Sequence, residues 1–126
     1  MNMKRIKKRI KQKIQKAKLY LPGSDDPMAG VECQITLVVD VIEISERPPL
    51  NSLDAWEGEL WILQEYQSIP QTRVINQIRK AIFENREFRL QLENDRNVKI
   101  IIKFQSIKSG EKKIGPIYFQ GSGLLE

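Results

Sequence analysis

From Val31 to Ile44 apolar side chains hold the odd positions, Val31, Cys33, Ile35, Leu37, Val39 and Val41, with Glu32, Gln34, Thr36 and Asp40 between them. A period of two is what a half-buried strand requires, because successive side chains leave opposite faces of a sheet. The run is long for one strand and turns apolar on both faces near Val38, so a bend is expected there. Glu46-Arg47-Pro48-Pro49-Leu50-Asn51-Ser52 reads as a loop, since paired prolines supply no ladder donors. Glu59-Leu60-Trp61-Ile62-Leu63 follows as a second strand. Ser68 as cap and Pro70 in the first turn open a helix expected over about residues 70 to 85, where Val74, Ile75, Ile78, Ala81 and Ile82 recur at helical spacing. Phe88, Leu90 and Leu92 then alternate with polar neighbours, Asn94-Asp95 turns the chain, and Val98, Ile100, Ile102 and Phe104 alternate again, which predicts a hairpin. After a turn around Ser109-Gly110-Glu111, a last strand is expected from Ile114 to Phe119.

The beginning of the chain has a different pattern. Ile6, Ile10 and Ile14 stand four residues apart, with Met3 and Ala17 on the same side, so the segment is expected to be an amphipathic helix with a narrow apolar stripe. Like charges four apart, such as Lys4 with Lys8 and Arg5 with Arg9, each cost such a helix about 0.2 to 0.5 kcal/mol, and it is expected to order on a partner. The Pro, Gly and Asp of Leu21 to Pro27 mark a loop. The predicted organisation is a basic arm over 1–20, a linker loop over 21–30 and a single α+β domain over 31–126. In that domain an antiparallel, barrel-like sheet of about five strands receives one helix mid-chain. The order approaches the small oligonucleotide-binding barrel if the long first segment counts as two strands. That likeness is topological and carries no function.

Charge sharpens the asymmetry. The first eighteen residues hold nine Lys or Arg and no acid, whereas the rest of the chain holds twelve bases against sixteen acids. The net charge of +5 is therefore local to the arm. One cysteine forms no internal bridge, and no apolar run approaches the roughly 20 residues of a membrane span. A cytoplasmic location is expected.

The residues exclude much chemistry. There is no histidine, so Ser-His and Cys-His nucleophile pairs and imidazole metal ligands are absent. Cys33 lies on the apolar phase of its strand and reads as a packed thiol. Glu57 and Glu59 share one strand face and are the only carboxylates worth weighing for acid-base work; a solvated face is the plainer role for both. No catalytic residue, metal site or cofactor is expected. Of the aromatics, Trp61, Phe88 and Phe104 are in phase with the core, leaving Trp56 and one of Tyr118 or Phe119 as candidates for an exposed stacking platform, a role ranked behind core packing.

These observations predict a non-enzymatic binding module. Its arm, Lys4, Arg5, Lys7, Lys8, Arg9, Lys11, Lys13, Lys16 and Lys18, is expected to contact an anionic partner, with nucleic acid bound without sequence preference ranked first. Second is a protein interaction or assembly role, in which Ile6, Ile10 and Ile14 pack on a partner with an acidic surface and a sheet edge takes part, a homodimer included. A membrane surface ranks lower, because the stripe is narrow and lacks Trp or Phe.

Overall fold

The computed structural model describes residues 3–63, 71–103 and 113–123. Along the chain lie β1 (Met3–Lys11), β2 (Gln15–Tyr20), β3 (Ala29–Ile44), β4 (Leu50–Leu63), α1 (Gln71–Phe83), β5 (Phe88–Gln91), β6 (Asn97–Lys103) and β7 (Lys113–Ser122). Every pairing is antiparallel. The order β3-β2-β5-β6-β7-β4 closes on itself because β4 also pairs with β3, and β1 adds to β3 as a seventh strand outside that closure. The fold is thus a six-stranded antiparallel barrel plus one strand, mostly β rather than α+β.

Alternation fills the barrel. Leu19 on β2, Val31, Cys33 and Ile35 on β3, Leu60 and Ile62 on β4, Phe88 and Leu90 on β5, Ile100 on β6 and Ile114 on β7 all point inward and are buried. The register confirms one shared face, with Val31 opposite Ile62 and Cys33 opposite Leu60. α1 adds Ile78 and Ala81 to this core. The helix stops where its carbonyls find other donors: Arg86 N–H donates to the Ala81 carbonyl and Asn85 N–H to the Ile82 carbonyl, both at 3.0 Å, with Asn85 at a φ of 55°. That is the left-handed cap that short polar residues tolerate. At one end of the barrel Trp56 is buried, stands edge-on to Phe119 and donates its indole N–H to the Gly123 carbonyl at 3.1 Å. Gly121 allows this closeness, since a Cβ there would fall 2.0 Å from the indole.

The structure overturns the helical arm. Residues 3–11 and 15–20 are strands β1 and β2, both paired with β3. A spacing of four fits a period of 3.6, but it is also twice the period of a strand, so Ile6 and Ile10 share one face of β1 equally well. The like-charge pairs that weaken the helix favour the strand, where β1 lies across from carboxylates on its neighbours.

Other expectations need smaller changes. Leu50 to Ser52 belong to β4 and not to a loop, held by Ile42 opposite Leu50 and Asp40 opposite Ser52. Trp56 is buried, not exposed, and Trp61 is half-buried opposite Glu32 on the outer wall. β3 runs without a break, and the irregularity expected at Val38 is a register shift there: Val38 faces Ala55, Val39 faces Leu53, and Asp54 is the extra residue. The helix follows β4, and six strands rather than five close the barrel. Ser68, Pro70, Phe104 and the turn at 109–111 lie outside the described residues.

Candidate functional site: a basic edge ribbon

β2 pairs with β3 only as far as Cys33, and β7 pairs with β4 only from Glu57 onward. Beyond those points residues 36–44 of β3 and 50–56 of β4 leave the barrel as a two-stranded extension, and β1 lies along it as the third strand. Among the described residues β1 pairs with β3 alone. Half of its backbone groups therefore face away from the sheet, as in any edge strand.

A strand divides its side chains between two faces, and this splits the predicted cationic surface. Met3, Arg5, Lys7, Arg9 and Lys11 lie on one face, opposite Ile44, Ile42, Asp40, Val38 and Thr36. Three of these cations are held by the protein's own carboxylates. Arg5 Nε lies 3.5 Å from Asp40 Oδ2, Lys7 Nζ lies 3.2 Å from Asp54 Oδ2, and the Arg9 guanidinium donates to Glu57 Oε1. The Lys7 and Arg9 pairs are exposed on both sides, so each contributes only about 0 to 1 kcal/mol, while Asp40 of the Arg5 pair is 18% exposed. What they set is the field of this face, which is close to balanced. The face meets the barrel wall in an open groove of about 550 Å³ bordered by Lys103 and Tyr118.

The other face differs. Lys4, Ile6, Lys8 and Ile10 lie opposite Glu43, Val41, Val39 and Leu37 of β3, and the row continues onto β4 as Asn51, Leu53 and Trp56. Ile10 is 49% and Leu53 52% exposed. Lys4 and Lys8 make no ion pair among the described residues, although Glu43 lies across from Lys4. Leu37 and Leu53 run on into a groove of about 250 Å³ beside Leu92, Asn94 and Arg96 of the β5–β6 turn. This face is apolar and cationic, open at Ile10 and Leu53 and closed at Val41 and Trp56, which are buried.

The remaining predicted contacts are dispersed. Lys13 and Ile14 fall in the break between β1 and β2, with Ile14 46% exposed. Lys16 lies opposite Glu32 and Lys18 opposite Gly30 on the outer wall of the barrel. The nine cations therefore do not form one surface, and Ile14 does not join Ile6 and Ile10 on a common strand.

Sequence pattern missed Leu53 and the carboxylates of Asp40 and Asp54. Their roles arise from pairing across the ribbon, which local periodicity does not carry. It was right about Cys33, which is fully buried with burial pushing its thiol up to about 12. Glu57 and Glu59 do share the outer face, but Glu57 is engaged by Arg9. No group of acidic or sulfur side chains suited to a metal ion exists among the described residues. Tyr118 is exposed while Trp56 and Phe119 are buried, so the candidate stacking platform is reduced to one ring and Trp56 takes the core role ranked ahead of it. No described helix is long and apolar enough to cross a membrane. No family model, curated protein or solved structure matches the chain.

Proposed function

We propose that the protein is a non-enzymatic interaction module of the cytoplasm that takes an acidic partner protein on the ribbon of β1, β3 and β4. One observation carries this reading: the ribbon face interleaves Lys4 and Lys8, which make no ion pair among the described residues, with Ile6, Ile10, Val39 and Leu53. Cations among exposed apolar side chains suit a partner that brings carboxylates and hydrophobic groups together, as an acidic protein surface does. A phosphate backbone offers charge alone and would leave Ile10 and Leu53 uncovered. The order of the two partner classes expected from sequence is thereby reversed.

Six phosphate contacts, as a contiguous basic arm would make, give a slope of log affinity on log salt near −5. With Arg5, Lys7 and Arg9 held by Asp40, Asp54 and Glu57, the ribbon has fewer free cations for a duplex. The discriminating experiment titrates the full chain with a poly(Glu,Tyr) copolymer and with a short DNA duplex across salt concentrations. Tighter binding to the copolymer, lost in Lys4→Glu/Lys8→Glu, is the expected result. Tighter binding to the duplex with a slope near −5 would restore the nucleic-acid reading. Removing residues 1–18 would not serve this test, because it deletes β1 and most of β2, a strand of the barrel.

A further inference from the structure

We infer that β1 accepts its partner by strand addition, and that its charge pattern admits an acidic-apolar strand of another protein while excluding a second copy of this chain. This rests on the acidic-partner reading above and specifies how the partner is held. Among the described residues the outer edge of β1 is unpaired over the length of Met3–Lys11, and an exposed edge is a template for any extended segment whose side chains tolerate the register.

The obvious occupant is another β1, and electrostatics rejects it. Antiparallel pairing centred on Lys7 sets Lys7 against Lys7 and Arg5 against Arg9. Centring on Ile6 sets Lys4 against Lys8 and Arg5 against Lys7. The intermediate register sets Lys4 against Arg9 and Arg5 against Lys8, and in-register parallel pairing opposes every cation to itself. Like charges directly across a ladder destabilise it, and edge lysines are a known guard against sheet extension.

The same pattern defines what fits. On the open face the added strand must answer Lys4, Ile6, Lys8 and Ile10 in turn, which calls for acid, apolar, acid, apolar at every second position. Its apolar members would continue the row of Val41, Val39 and Leu37 already present on β3. On the opposite face Arg5, Lys7 and Arg9 keep their carboxylates, so small polar residues suffice there. The partner is thus an extended protein segment with acids and aliphatics alternating on one face.

The test uses a synthetic peptide as long as β1, with Glu and Val taking alternate turns at every second position and Thr between, against a scrambled isomer whose acids are clustered. The full chain is expected to bind the patterned peptide about tenfold or more tightly than the isomer, with the preference lost in Lys8→Glu. Outward-facing amides of β1 should gain hydrogen-exchange protection on binding. Equal binding of both peptides would overturn strand addition while leaving the acidic-partner reading in place. Failure of both peptides and of poly(Glu,Tyr) would remove both. Sedimentation of the chain alone is expected to give a monomer; a dimer abolished by Ile10→Lys would overturn the exclusion of self-pairing.

Discussion

The barrel and the ribbon share β3 and β4, yet the two halves of those strands live under different rules. Within the barrel, Val31, Cys33, Ile35, Leu60 and Ile62 are sealed from water. Past the closure the same face continues through Leu37 and Val39, but Ile10 and Leu53 beside them stand about half exposed. An alternating strand states which face is apolar and not what covers it. Covered, that face is a core; uncovered on a sheet edge lined with cations, it is a binding surface.

If the division is real, truncation should separate the two regions sharply. Leu60→Ala, fully buried in the barrel, is expected to lose about 2 to 5 kcal/mol in denaturant unfolding, whereas Ile10→Ala should stay within about 0.5 kcal/mol. Similar losses at both sites would erase the distinction. Gly121→Ala should fall next, at about 1 to 3 kcal/mol, because its methyl group would collide with the Trp56 indole.

Cys33 sharpens the comparison through pH. Its thiol ionises near 12 when folded against 9.0 ordinarily. Between these values the unfolded chain alone loses the proton, so it binds fewer protons than the folded chain and stability falls as pH rises. The slope approaches about 1.4 kcal/mol per pH unit. Below 9 the thiol is neutral in both states and contributes no pH dependence. Cys33→Ala should be less steep above pH 9 in parallel unfolding curves, and an unchanged slope would contradict the buried thiol.

The smallest effect belongs to the ribbon. Glu57→Gln breaks the pair with Arg9 and should cost no more than about 1 kcal/mol, a loss that shrinks further in salt. A salt-independent loss would mean that the ribbon ion pairs hold the fold together.

How much the sequence disclosed follows the same boundary. The hairpin of β5 and β6, the helix from Gln71 and the irregularity at Val38 are legible because each depends on local alternation or turn chemistry. β1 is not, because Ile6 and Ile10 satisfy a helix and a strand alike, and the deciding partners lie far along the chain at Asp40, Asp54 and Glu57. The upper half of β4 is hidden for a related reason: Asn51, Ser52 and Asp54 are poor strand formers on their own and are carried by pairing with β3. The cations were identifiable by composition, but their separation onto two faces follows only from the strand.

Residue-resolved hydrogen exchange over Met3–Lys11 tests the central claim most directly, since it asks whether the basic segment is an edge strand. Alternate residues should be protected, those whose N–H groups point toward β3, while those between exchange freely until the patterned acidic peptide is added. Uniformly unprotected amides, or free amides that remain unprotected with peptide bound, would contradict the account.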